Sequence, residues 1–336
     1  MKRSLDMLDL TKLFASILIL TMHCDALSDY GNASFYFQIA ARWCVPFFFL
    51  SSSYFLFRKS GDGQLSKAAL SGYVRRIALL YAVWFVYNLP EIWYQHFYQK
   101  DLSALGTWFD FLRNLLLSTT FGGSWYLTAS VFSAALVWLL SKRLRTGTVL
   151  LVTLPLYLLC PLASVYRGAA SSGLAAVLSF LRFPLNIFNG CFYFALGKLI
   201  AERRDEIMKW FTRSRAFLCF VVFYALYGLE LYIARRSGIF GSTDAAFALA
   251  PLAFGLFLFV LQSERRVPRA PLLRKLSTVI YCCQGNLMLI NGICKMRLGF
   301  PSPLAYLLCA LLAGAICAAV LLLQTKTRWK WPQYMT

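Results

Sequence analysis

Histidine is nearly absent from this chain, with two in 336 residues, and acidic residues are scarce, 14 against 34 Lys and Arg. The ten cysteines, from Cys24 to Cys317, lie within or beside apolar runs and never form CxxC pairs with His at zinc spacing. A metal-binding cluster is therefore not expected, and the adjacent Cys282-Cys283 pair reads as buried filler. Charged residues total 14%, whereas a soluble domain carries about 25%. That shortage excludes a soluble globular chain. Also missing are a Gly-rich phosphate loop, a serine-hydrolase elbow and a paired-carboxylate motif. No internal repeat, linker or soluble domain is visible. No basic patch is interleaved with aromatics, so the +20 net charge does not point to nucleic acid.

What remains is apolar: 59% hydrophobic and 17% aromatic residues, with a mean hydropathy of +0.60. Hydropathy picks out about ten segments near the roughly 20 residues that cross a bilayer. They run approximately 8–27, 36–57, 76–95, 122–141, 147–164, 182–201, 216–234, 244–262, 276–293 and 303–323. With the N-terminus in the cytoplasm, 25 of the 34 Lys and Arg fall in cytoplasmic segments and 8 in outer ones, as the positive-inside rule requires. The remaining cation, Arg42, lies near the start of the second segment. The expected fold is all-α: a polytopic membrane protein with about ten transmembrane helices, both termini cytoplasmic, forming one domain over residues 1–336. The plasma membrane is its expected location and the lipid bilayer its first partner. Lys2 and Arg3 followed by an apolar run imitate a signal peptide. Asp6, Asp9 and Lys12 interrupt its apolar core, so an uncleaved first helix is expected. Segments 104–118 and 172–181 are too short to span and are expected to lie in the interface or re-enter.

Ionisable residues at membrane depth are costly and mark functional sites by default. Lys12 and His23 are eleven residues apart on one predicted helix. At about 100° and 1.5 Å per residue they share a face, separated by roughly 16 Å along the axis. Asp9 can pair with Lys12 across one turn, and Lys12 alone would also suit an interfacial cation snorkelling to headgroups. Arg42 precedes a run with no further charge for about four turns, in which Pro46 frees backbone carbonyls. Ser51, Ser52 and Ser53 follow it and supply small polar surface. No partner for Arg42 is visible at i±3 or i±4, which leaves Glu91 and Glu230 as candidates by depth. Trp125 and Tyr126 open the fourth segment from the outer side. Glu91 and Arg182 lie near the outer ends of theirs.

In order along the chain, these residues resemble the integral-membrane acyltransferase family 3. Asp9-x-x-Lys12, ten residues and His23 match its acidic-x-x-basic…His pattern, with Lys where Arg is usual, which keeps the charge and loses the bidentate fork. Arg42-x-x-Val45-Pro46-Phe-Phe-Phe-Leu50-Ser51 is similar to the family's second-helix run, with Ser52 where Gly is usual. Ser124-Trp125-Tyr126-Leu127 resembles its Trp-[Phe/Tyr]-Leu motif, and Phe192–Gly197 its Phe-x-x-x-x-Gly span. Ser277-Thr-Val-Ile280-Tyr281 resembles Ser-x-x-Ile-Tyr-Leu-x-His, with Gln284 at the His position. The membrane domain fused to serine racemases of vancomycin-resistance clusters is a similar relative, and nothing in these residues reads as a racemase domain.

The resemblance implies transfer of an acyl group, most often acetyl, from cytoplasmic acyl-CoA to a hydroxyl of a cell-envelope glycan or glycolipid. Acyl-CoA would be a co-substrate and no cofactor would be permanently bound. On that reading Lys12, with Asp9, engages CoA anions. His23 acts as general base or transient acyl carrier, and Arg42 stabilises the thioester oxyanion. Trp125, Tyr126, Ser51, Glu91 and Arg182 contact the acceptor. A small-solute transporter such as one for amino acids, a noncatalytic membrane partner and a lipid flippase remain open alternatives.

Overall fold

Every regular element in the computed structural model is helical, with no strand among the described residues, 5–58, 65–99, 102–326 and 331–336. Lipid offers backbone groups no water, so helices that satisfy their own amides are the form such apolar segments take. Lys2, Arg3, Lys59, Lys100, Arg328 and Lys330 of the charge count lie outside the described residues.

Among the described residues, five helical segments are long and apolar enough to cross a membrane: Ala33–Phe57, Lys67–Tyr87, Arg213–Arg236, Ala270–Leu298 and Ser302–Lys326. The other five expected spans fall on shorter or more charged helices. These are Asp6–His23, Trp125–Ser141, Thr146–Leu162, Gly190–Glu202 and Leu249–Leu261. The first helix stops at His23, short of the expected 27, and Asp25 turns the chain through the left-handed region (φ 44°). Span 36–57 is not one uninterrupted helix. Ala33–Ala41 ends at a turn over Arg42 and Trp43, and Cys44–Phe57 begins beyond it. Pro46 is the cause, because it has no N–H to offer the Arg42 carbonyl one turn back.

Contacts divide the chain into two compact units. One comprises residues 1–44, 76–124 and 265–336; the other comprises 45–75 and 125–264. In the first unit the Asp6–His23 helix packs along Ala270–Leu298. Ser16 Oγ lies 2.7 Å from Ser277 Oγ and donates to the Ser277 carbonyl at 2.9 Å, the kind of small-residue contact that lets membrane helices approach. The Ala104–Leu117 helix has the inverse of a soluble helix's arrangement. Leu105, Trp108, Phe109, Leu112 and Leu116 face outward, while Thr107, Asp110 and Asn114 are buried. The helix is 14 residues long and turns its apolar side outward. In the second unit Phe49 is the hub of an aromatic cluster with Trp125, Tyr126, Tyr193 and Phe194. The motif glycine Gly197 allows it, since a Cβ there would sit 2.6 Å from Ser53 Cβ and 2.9 Å from the Leu50 carbonyl.

Asp29, in the first unit's 24–32 segment, clips the start of the Ser302–Lys326 helix. It accepts hydrogen bonds from the Ser302 hydroxyl (2.7 Å) and backbone amide (2.6 Å). These bonds, the hydroxyl's first, hold its carboxyl below the ordinary carboxylate value. A depressed folded-state pKa contributes stability above the unfolded value near 4, and that contribution is lost as pH falls through the folded one. Asp29→Asn is therefore expected to flatten the acid limb of a thermal-stability profile measured between about pH 5 and pH 2. A variant whose acid limb matched the parent's would refute the clip's role.

Candidate functional site

Asp9 is 3% exposed, and both its oxygens go to Arg274. Nε reaches Oδ1 at 3.0 Å and Nη2 reaches Oδ2 at 2.7 Å, a two-pronged, charge-assisted pair. Asp9 thus serves Arg274 as well as standing beside Lys12, the neighbour expected one turn away. Lys12 has Asp9, Arg274 and Arg76 as its charged neighbours. Three cations, Lys12, Arg274 and Arg76, thus stand near two carboxylates, Asp9 and Asp6. The Arg274 side chain is 60% exposed, so the cluster presents net positive charge at one end of the helix.

His23 is the last residue of that same helix, which runs unbroken from Asp6. The shared face and the roughly 16 Å axial separation from Lys12 follow from this continuity. Because the helix ends there, the imidazole stands at a helix terminus, where the sequence had placed it within a longer span. Cys24 follows as the cap. Asn291 donates to the Cys24 carbonyl at 2.8 Å, and Ser34 donates to Asp25, so the turn after His23 is held from two sides.

Arg42 occupies the turn between Ala33–Ala41 and Cys44–Phe57. Its Nη2 donates to Gln38 Oε1 at 3.3 Å. The expectation that nothing at i±4 would engage it was incorrect, because an amide oxygen accepts from guanidinium without carrying charge. Glu230 belongs to a different arrangement. Its two oxygens accept the Phe247 and Ala248 amides at 2.8 and 3.0 Å, capping the Leu249–Leu261 helix. Glu91 is 1% exposed, and neither carboxylate oxygen has a hydrogen-bond partner.

In the second unit Ser51 is fully buried with its hydroxyl unbonded. Tyr126 lies 2.8 Å from the Ser52 hydroxyl. Trp125 is 7% exposed and packs on Phe49, so its ring serves the aromatic core. Arg182 is half-buried in the left-handed region (φ 60°), at the turn after Ser172–Phe180.

Sequence reasoning missed Arg274 and Arg76 as neighbours of Lys12. Their signal was present, two basic residues near the cytoplasmic ends of expected spans, but such residues ordinarily read as topology determinants. It also left Gln284 as a bare departure from the motif. In the first unit Gln284 is fully buried and donates to the Gly122 carbonyl at 3.3 Å, while Tyr281 donates to the Gly123 carbonyl at 2.7 Å. The loop lies so close to this helix that a Cβ on Gly122 would meet Gly285 Cα at 2.9 Å. Gln284 is thus an N–H donor that pins the Gly122-Gly123 loop. His offers the same kind of donor.

A family model described as an acyltransferase domain matches residues 5–323. An amino-acid racemase from Enterococcus faecalis is 27% identical over 216 residues, which are 60% of this chain and 29% of that relative. The chain therefore spans less than a third of the length of the protein it matches. No solved structure matches it. With the match extending from the start of the first helix almost to the end of the last long one, the chain belongs to the integral-membrane acyltransferase 3 family.

Proposed function

We propose that this protein is an O-acyltransferase that moves an acyl group, acetyl in the simplest case, from cytoplasmic acyl-CoA to a hydroxyl of a cell-envelope glycan or glycolipid. One observation carries the reading. A cationic cluster of Lys12, Arg274 and Arg76 stands near one end of the helix whose other end is His23. Phosphates need converging positive charge, and a pantetheine arm bridges about the 16 Å that eleven helical residues provide. In the ten-span arrangement with both termini cytoplasmic, the cluster faces the CoA pool of the plasma membrane's inner side.

His23 takes the proton of the acceptor hydroxyl as its oxygen attacks the thioester carbonyl. The carbon–sulfur bond breaks, and the departing thiolate recovers that proton from the imidazolium. Ester and CoA thiol are the products, with no net proton released. The Arg42 guanidinium offsets the negative charge that develops on the carbonyl oxygen.

The test is purified protein with radiolabelled acetyl-CoA and envelope material, read as label transferred and free thiol released. Absence of both, together with solute uptake that continues without acyl-CoA, would replace this reading with that of a transporter. Lys12→Glu is expected to weaken acyl-CoA binding at least tenfold, because it inverts one of three clustered charges, while acceptor affinity stays near the parent's. Lys12→Arg is expected to retain activity. Unchanged acyl-CoA affinity in Lys12→Glu would remove the cluster from donor binding.

A further inference from the structure

The Lys67–Tyr87 helix is interrupted at Asn88 and resumes as Leu89–Trp93 with Pro90 in its first turn. The Asn88 amide still donates to the Trp84 carbonyl and the Ile92 amide to the Asn88 carbonyl, each at 3.0 Å. Asn286, on the facing Ala270–Leu298 helix, fills the gap. Its Nδ2 donates to the Tyr87 carbonyl at 2.7 Å and its Oδ1 accepts the Glu91 amide at 3.3 Å. Those are the two groups an unbroken α-helix would join directly. Asn88 reciprocates, donating to the Cys282 carbonyl at 3.1 Å and accepting the Asn286 amide at 3.0 Å. Each asparagine thus bridges a donor and acceptor four residues apart in the other's helix. A π-helical stretch, Tyr94–Tyr98, follows at once. Side-chain insertion into the ladder and π turns are both departures that membrane helices tolerate where protein surrounds them.

This construction delivers Glu91 to the interior. Its carboxylate is 1% exposed, both oxygens lack a hydrogen bond, and no ion pair reaches it among the described residues. The Gly122 amide and the Gln95 side chain lie nearby without reaching hydrogen-bond geometry. A carboxyl buried without hydrogen bonds or a counter-charge either holds a proton or meets a positive charge, because an isolated carboxylate is among the most costly groups a fold can hold. Neutral hydroxyls offset that cost only in part, whereas a positive charge offsets it directly. Interruptions in membrane helices are places where small-ion and substrate sites are built.

We infer that Glu91, presented by the Asn88–Asn286 stitch, is the anionic centre of a binding site for a small cation, either an alkali-metal ion or a primary ammonium group. The site goes beyond acyl transfer and does not depend on it. Its test is therefore read without turnover.

The probe is the melting temperature of the full chain in detergent, followed by tryptophan fluorescence at constant ionic strength. Choline chloride is replaced stepwise by sodium, potassium or methylammonium chloride. At a tenfold excess over Kd, a bound cation is expected to raise the melting temperature by roughly 2 °C. A response confined to sodium or potassium identifies the ion as inorganic, and one confined to methylammonium identifies an amine. Glu91→Gln keeps the shape and the hydrogen-bonding atoms but not the charge. It is expected to abolish the response while melting no lower than the parent in choline. Glu91→Asp, which keeps the charge, is expected to retain a weaker response and serves if the Gln variant does not fold. A parent that responds to none of the three cations overturns the proposal, as does a Glu91→Gln variant that responds as the parent does.

Discussion

His23→Ala is expected to abolish acyl transfer, lowering turnover by at least 10²-fold, since positioned proton transfer is worth 10² to 10⁴. The expectation is specific because the chain offers so few substitutes. The second histidine, His96, is buried with Nε2 3.0 Å from the Thr120 carbonyl. His23 sits at a helix terminus, so removing its ring leaves the Asp9–Arg274 and Ser16–Ser277 contacts in place. Melting temperature and acyl-CoA affinity should consequently stay near the parent's. Residual turnover within threefold of the parent would dismiss His23 from the mechanism. Loss of acyl-CoA binding alongside turnover would instead assign it to donor binding. A hydroxylamine-labile acyl label on the parent and not on the variant would identify the imidazole as an acyl carrier.

Arg42→Ala is the second large effect. If the guanidinium offsets charge on the thioester oxygen, kcat is expected to fall about 10²-fold, as for other lost oxyanion donors, with acyl-CoA affinity preserved. Among its neighbours in the structure is an amide, Gln38, whose Oε1 accepts from its Nη2. Loss of that charge-assisted hydrogen bond is expected to lower stability by about 1.5 to 3 kcal/mol. Arg42→Lys keeps charge without the fork and is expected to recover part of kcat. A rescue by charge exchange with Glu230 is not expected, because that carboxylate is committed to backbone amides. Intact catalysis in Arg42→Ala would rule out the oxyanion role, and a collapse of binding and stability together would make the residue structural.

The sequence made the helices and much of the nominated chemistry legible for identifiable reasons. Asp9, Lys12 and His23 lie on one uninterrupted helix, so their mutual geometry follows from helical parameters alone. Arg274 did not, because 265 residues separate it from Asp9 and no local rule pairs them. The break within span 36–57 had its signal in Pro46, but Pro inside an apolar run reads equally as a tolerated kink. Asn88 and Asn286 carried no signal singly. Their role exists only when two helices are side by side and each amide meets the other's backbone. Trp125 misled in the opposite direction, since a Trp at a span boundary reads as an anchor or a stacking surface and here fills an aromatic core.

The pairing of the first helix with Ala270–Leu298 also fixes an order of events during synthesis. Ser16 must wait for Ser277, 261 residues later, and Asp9 must wait for Arg274. At about 5 to 20 residues per second, the nascent first helix spends roughly a quarter of a minute to a minute with its carboxylate unanswered. During that interval Lys12, one turn away, is the cation at hand. When the arginine arrives Lys12 stays beside the carboxylate, so the finished helix end holds both cations.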